Sequence, residues 1–282
     1  MYEDYWQLSR PAFRAAKPGE GYFPAHSHRA AKLKLRYLVE QQQSAALLIG
    51  DAGVGKSFLL DSYLSELKLP AGPVVSVVVP QFGPAELIGY LTRKLGDDHP
   101  SQPRSFDDVL DRWEQRLAAL HAEGRHPVIV IDDAQTIEDR HVLKTLHLLL
   151  NYRHGDCAAF TLILCGQPEL TGQIARCPAL QDRMAFTCAV QPFSLEETAG
   201  YVRHRLQQAG APAPIFADDA IERIHHCTGG LPRRINRLCD FALLVGFADQ
   251  LDQIAVAQVD AVAEELQLAA RTKDALACAT GW

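Results

Sequence analysis

The chain has 282 residues, 48% of them hydrophobic, with 28 Lys plus Arg against 34 Asp plus Glu. Those figures exclude a disordered, collagenous or disulfide-stapled chain, and the length suits one large domain with a smaller one. A net charge of −6 gives no overall attraction to nucleic acid or anionic lipid. The longest apolar stretches, Ala158 to Cys165 and Val74 to Val79, fall far short of the roughly 18 residues of a membrane span, so no membrane insertion is expected. The acidic start Met1-Tyr2-Glu3-Asp4 leads into no apolar h-region, and a cytoplasmic protein without signal peptide is expected. The seven cysteines (Cys157, Cys165, Cys177, Cys188, Cys227, Cys239, Cys278) form no C-x-x-C pair and read as reduced, mostly buried thiols.

In chain order, the segment from Arg10 to Arg36 carries seven basic residues (Arg10, Arg14, Lys17, Arg29, Lys32, Lys34, Arg36) against one acid, Glu20. Its second part predicts a helix from Ala25 to Gln42. Five short runs rich in Val, Ile and Leu then recur at intervals that leave room for helices, the pattern of a buried parallel sheet with crossovers. They are Ala45 to Ile49, Val74 to Val79 between two prolines, Val128 to Asp132, Phe160 to Cys165 and Phe186 to Val190. Helices are predicted over Phe58 to Leu67, Glu86 to Leu95, Asp107 to His121 and His141 to Tyr152. In the third of these Val109, Trp113, Leu117 and Leu120 repeat at helical spacing.

After Phe193 no strand-like run appears. Ser194 and Glu197 form a capping-box pattern that opens a helix ending near Gly210. Further helices are predicted over Asp218 to Cys227, Pro232 to Phe247 and Val256 to Leu268, with Gly229 and Gly230 stopping one and Pro232 opening the next. The expected organisation is an α/β domain over residues 1–192, with an N-terminal extension over 1–43, and an all-helical domain over 193–282.

Gly50-Asp51-Ala52-Gly53-Val54-Gly55-Lys56-Ser57 follows the first strand and runs through Phe58 into a helix, matching G-x-x-x-x-G-K-[ST] at every position. Glycines let the backbone curl so that its N–H groups surround a β-phosphate, and the helix N-terminus adds partial positive charge. Lys56 then reaches the β- and γ-phosphates, and the Ser57 hydroxyl can ligate Mg²⁺. The third strand ends in Asp132-Asp133-Ala134-Gln135. Strand ends of open α/β sheets face the ligand crevice, so Asp132 is expected to serve Mg²⁺ and Asp133 to orient the attacking water; a plain helix N-cap is the alternative for each. ATP and Mg²⁺ are thus the expected cofactors, and ATP hydrolysis the expected activity. His26 with His28, and His225 with His226, match no complete metal spacing. Tyr22 and Phe23 suit either an adenine-side or a core position.

The motifs Gly166-Gln167-Pro168-Glu169-Leu170 and Gly230-Leu231-Pro232-Arg233-Arg234-Ile235-Asn236 extend this pattern. Together with Tyr5-Trp6-Gln7-Leu8, Pro11, Phe13 and Tyr22-Phe23-Pro24 with His28, the chain resembles AAA+ ATPases of the ExeA (general secretion pathway A) group over about residues 2 to 250. The resemblance implies a P-loop NTPase of the AAA+ type, with a five-stranded parallel sheet core and a C-terminal all-helical lid. It further implies that Gln167 is sensor 1, Arg233 is sensor 2, and Arg183 is an arginine finger reaching a neighbouring subunit, with Arg176 as the other candidate.

The group usually has Asp-Glu-Ala-Gln at Walker B, whereas Asp133 is one methylene shorter than Glu, so slow hydrolysis is expected. Members commonly continue into a membrane span and a periplasmic peptidoglycan-binding part, and this chain stops at Trp282, which predicts no direct route to the cell wall. The partners implied are a homo-oligomer and a secretion or envelope complex. Two other readings stand beside that one. The first is a DNA-associated regulator of transposition of the TniB/TnsC type, for which the basic N-terminal segment would serve DNA. The second is a nucleotide-gated scaffold that scarcely turns ATP over.

Overall fold

The computed structural model describes residues 1–14, 22–66, 72–78, 81–97 and 105–268; Lys17, Glu20, Leu67, Val79, Cys278 and Trp282 lie outside them. Along the chain come α1 (His26–Glu40), β1 (Ala45–Ile49), α2 (Lys56–Glu66), β2 (Val74–Val77), α3 (Pro84–Lys94), α4 (Phe106–Ala122), β3 (Val128–Ile131), a 3-10 turn (Ala134–Thr136) and α5 (Arg140–Leu149). Then follow β4 (Arg153–His154), β5 (Cys157–Ala158), β6 (Thr161–Gly166), α6 (Glu169–Ala175), α7 (Pro178–Gln181) and β7 (Met184–Ala189). Four helices complete the described chain: α8 (Leu195–Gln208), α9 (Asp218–Thr228), α10 (Pro232–Ala248) and α11 (Val256–Glu265). The described residues divide into two compact units, one containing 26–52 and 56–190, the other containing 1–25, 53–55 and 191–268 where described.

In the first unit the five expected strands form one sheet in the order β2-β3-β6-β1-β7, every neighbour parallel. The three central strands β1, β3 and β6 are buried at every residue, while the edge strands β2 and β7 alternate between exposed and covered positions. Continuous apolar runs therefore mark the strands covered on both faces. The α4 stripe Val109, Trp113, Leu117 and Leu120 faces this core, and Ser105 with Asp108 closes a capping box at its start. The hairpin β4–β5 was not expected; two-residue strands are too short to show an alternating pattern. Strand limits also shift: β6 runs Thr161–Gly166 and β7 starts at Met184, because ladder pairing with β1 decides the ends rather than side-chain type.

The second unit takes in part of the N-terminal segment. The N-terminal extension does not belong to the sheet as a whole: α1 packs on β1 and β7, but residues 1–14 and 22–25 join the core of the helical unit. Tyr2, Trp6, Leu8 and Phe13 are buried there beside Leu206, Phe216, Leu238 and Leu243. The Trp6 indole N–H donates to Leu243 O (2.9 Å), Tyr5 to Leu251 O (2.9 Å), and the Tyr2 hydroxyl to Asp240. Arg205 is 7% exposed and donates to the backbone carbonyls of Ala12 (2.7 Å) and Arg14 (2.7 Å) and to Tyr201 Oη (3.1 Å). The strap has no helical or strand period, so its apolar side chains reveal their destination only in three dimensions. Phe23 is half-buried against this core, packed edge-on to Phe193 and Tyr201.

Ser194 and Glu197 make the expected capping box, and Gly229 ends α9 at φ 61° just before Pro232 opens α10. The last helix, α11, stops at Glu265 rather than Leu268. Among the described residues the six cysteines are free, no group of His, Cys, Asp and Glu has the makings of a metal centre, and no helix is long and apolar enough to cross a membrane.

A buried histidine of the sheet unit gives the fold a pH dependence. His126 Nε2 lies 2.9 Å from Thr161 Oγ1, whose own proton goes to Gln43 O at 2.8 Å, so Nε2 carries a proton and donates. Burial, aided by His121, pushes the His126 pKa down to about 4. The unfolded chain then binds this proton more tightly, so the stability contributed by neutral His126 is present above about pH 6.5 and is lost as pH falls toward 4. Urea unfolding of His126→Gln should show a decline between pH 7 and 4.5 that is shallower than wild type by about 2 kcal/mol. Parallel curves would assign the acid sensitivity elsewhere.

Candidate functional site

The loop Gly50–Gly55 leaves β1, which lies between β6 and β7, and enters α2 at Lys56. Gly53 and Gly55 sit at φ +83° and +102°, conformations that side-chain-bearing residues rarely adopt, which is why glycine is needed at both. Gly50 N–H continues the ladder onto Gly166 O at 3.3 Å. Lys56 is 7% exposed and gives two of its ammonium protons to loop carbonyls, Gly50 O at 2.8 Å and Asp51 O at 3.1 Å. A buried cation held by carbonyls at the start of a helix, whose first N–H groups have no partner within the helix, is a receptacle for an anion.

Asp132 stands at the end of β3, where its N–H continues the ladder to Val77 O (2.9 Å). Its Oδ2 accepts from Ser57 Oγ at 2.6 Å and its Oδ1 from Asp133 N at 2.9 Å. The hydroxyl and carboxylate come from α2 and β3 and present hard oxygens side by side, the donor set that Mg²⁺ takes while keeping water ligands. The negative field there is visible in its neighbours: burial and Asp132 push the Cys165 thiol up, and burial and Asp132 also raise the Asp61 carboxyl. A divalent cation would relieve both repulsions.

Asp133 caps the 3-10 turn with a left-handed backbone, φ 47° and ψ 37°. Thr136 holds that turn by donating from N (2.9 Å) and Oγ1 (2.8 Å) to Asp133 O. Gln135 Nε2 donates to Asp133 Oδ1 at 3.0 Å, and Gln135 Oε1 accepts from the backbone N–H of Gln167 at 3.0 Å. Gln173 Nε2 on α6 donates to Gln135 O at 2.8 Å. Asp133 and Gln167, expected at one site, are therefore joined, and through a residue to which sequence reasoning gave no role. The signal was present in the Asp-Asp-Ala-Gln run, but the spacing does not say which way an amide turns.

In the helical unit, the Arg233 N–H donates to Gly53 O at 3.2 Å, and a Cβ on Gly53 would stand 3.0 Å from that of Arg233. The sensor 2 candidate thus lies directly on the loop tip. Tyr201 reaches Asn236 of the same motif at 2.7 Å. Arg183 lies just before β7 and donates to Asn151 Oδ1, and the other finger candidate, Arg176, is exposed at the end of α6. His225 Nδ1 bonds Thr198 Oγ1 at 2.9 Å.

A family model described as an AAA domain matches residues 39–174. General secretion pathway protein A of Aeromonas hydrophila is 29% identical over 299 residues, covering 100% of this chain and 53% of that protein, so the chain spans about half the length of this relative. Among solved structures, the Pyrobaculum aerophilum Cdc6p crystal structure superposes with a TM-score of 0.72 at 17% identity, over 90% of this chain and 70% of that one. The Aeropyrum pernix ORC2 protein in ADPNP and ADP complexes gives 0.67 at 14% identity, over 91% and 72%. Drosophila ORC bound to DNA gives 0.70 at 14% identity, over 93% of this chain and 65% of that one. At these identities the structural matches establish a shared fold.

The close approach of Gln135 to the end of β6 requires glycine at 166, because a Cβ there would stand 2.6 Å from Gln135 Oε1 and 2.8 Å from Leu170 Cδ2. Gly166→Ala should displace both side chains and lower stability by about 1–3 kcal/mol in urea unfolding. A variant as stable as wild type would show that neither contact constrains the strand end.

Proposed function

We propose, from the premise that the chain carries an AAA domain over residues 39–174, that it binds ATP with Mg²⁺ and hydrolyses it to ADP and phosphate. The observation that carries this reading is the meeting of Ser57 Oγ and Asp132 Oδ2 at 2.6 Å beside a buried Lys56 at the head of α2. Lys56 and the loop amides hold the β- and γ-phosphates, and Ser57 and Asp132 hold the metal. When bound, Mg²⁺ neutralises charge on the phosphate oxygens. Asp133 orients the attacking water. Gln167 senses the γ-phosphate from the end of β6, and Arg233 on the helical unit reports the nucleotide state. Arg183 of a neighbouring copy stabilises the transition state, which requires a homo-oligomer. Because the Asp133 carboxylate is one methylene shorter than that of Glu, turnover is slow, and a misplacement of about 1 Å costs on the order of a hundredfold.

The relative's name, general secretion pathway protein A, supports assembly or energising of a secretion or envelope complex as the use of this ATPase. A DNA-associated role is the second reading. It draws on the DNA-bound ORC structure of the same fold and on Arg29, Lys34 and Arg36, exposed on α1. Duplex DNA binding with a steep salt dependence, lost on neutralising Lys32, Lys34 and Arg36, would favour that reading over the first.

Steady-state ATPase assays with a fluorescent-nucleotide binding assay test the core proposal. Lys56→Ala should lose nucleotide binding, and Asp132→Asn should abolish turnover; a Lys56→Ala variant as active as wild type would refute it. Asp133→Glu should hydrolyse faster than wild type, up to about a hundredfold, if the short side chain limits the rate. An inactive Asp133→Glu would remove that explanation and the scaffold reading with it. Arg183→Ala should lower the rate by roughly 10³ or more at concentrations where wild type assembles, and an unchanged rate would exclude Arg183 as the finger.

A further inference from the structure

The Gln135 side chain touches both Asp133, the proposed water-orienting acid, and the strand end beyond β6. Its amide is used at both ends: the nitrogen donates to Asp133 Oδ1 (3.0 Å), and the oxygen accepts from Gln167 N–H (3.0 Å). The backbone beneath it is fixed as well, by Gln173 Nε2 from α6 on Gln135 O and by Thr136 Oγ1 on Asp133 O, each at 2.8 Å. Glycine at 166 leaves room for this approach, since a Cβ there would fall 2.6 Å from Gln135 Oε1 and the amide would have to shift.

We infer that Gln135 is a positioning residue that locks the Asp133 carboxylate to the Gln167 strand end, so that the acid and the γ-phosphate-facing segment move as one. The inference rests on the ATPase reading given above. Asp133 sits in a left-handed conformation and its side chain is short; neither feature orients a carboxylate by itself. The Gln135 amide supplies the orientation, taking Oδ1 and leaving Oδ2 to accept from a water. It also supplies a link: displacement of Gln167 by a nucleotide reaches Asp133 through one amide group rather than through backbone.

The polarity of the amide makes the inference specific. A carboxylate at 135 keeps the acceptor for Gln167 N–H but sets a like charge against Asp133, whereas a methionine of similar volume keeps neither bond. Gln135→Glu and Gln135→Met should each lower kcat by roughly ten- to a hundredfold, with KM for ATP and fluorescent-ATP affinity within about threefold of wild type. Hydrogen exchange separates the two variants without reference to activity. The Gln167 amide should stay protected in Gln135→Glu and exchange faster in Gln135→Met, measured in the nucleotide-free protein.

Wild-type kcat in both variants, a loss confined to KM, or an unchanged Gln167 amide in Gln135→Met would overturn the inference. Should Gln135→Met fail to fold, the near-isosteric Gln135→Glu carries the test through its split of kcat from KM. A wild-type protein that turns over no ATP would instead overturn the ATPase reading, while the exchange result would still decide the geometry.

Discussion

Ser57 and Asp132 lie 75 positions apart and meet at 2.6 Å because β1, β6 and β3 run parallel and in register. Ile49 pairs with Gly166, and Ile131 with Leu164, so the carboxyl ends of three strands stop within a residue or two of one level. Everything that follows a strand end is thereby delivered to the same edge: the phosphate loop after β1, the acids after β3 and Gln167 after β6. The central strands are buried throughout, and a slip along one of them would disturb close packing on both of its faces. Core packing thus holds the chemistry in register without any contact made for that purpose.

The same logic explains where the polar groups of the site find partners. Lys56 is buried without a carboxylate and is held by two loop carbonyls, so its charge remains available to an incoming anion. Asp132 collects a hydroxyl and an amide, and burial together with its charge raises the Cys165 thiol and the Asp61 carboxyl. Asp133 is held less directly, through the Gln135 amide and a turn tied to α6. Lys56 and Asp132 are therefore held by direct bonds to the loop and to Ser57, whereas Asp133 depends on a chain of side-chain bonds.

The helical unit shows a different economy. Arg205 is buried and its guanidinium is satisfied by two backbone carbonyls of the N-terminal strap and by Tyr201, which in turn bonds Asn236 close to Arg233. Burying a charge without a counter-charge is costly unless fixed acceptors take its protons; here the strap takes two and Tyr201 one. Aromatic side chains then anchor the strap on α10 and beyond, through Trp6, Tyr5 and Tyr2.

Local pattern was enough for much of this protein. The five apolar runs, the capping boxes at Ser194, the proline at the start of α10 and the glycine-rich loop each carry their meaning within a few residues, because burial period, capping and positive φ are local demands. Other features were settled elsewhere. The hairpin β4–β5 is too short to have a period, and the strap of residues 1–14 has no period at all; its partners lie about 190 to 250 positions away. Gln135 stood in plain view beside Asp133, yet which residues its amide would join depended on β6 running next to β3. Residue types and their spacing determined that the chain has a phosphate loop, an acid at a strand end and a sheet to carry them. The tertiary structure alone decided which side chains hold those groups still, since a hydrogen bond between distant residues is set by the packing of the elements between them and leaves no trace in the spacing.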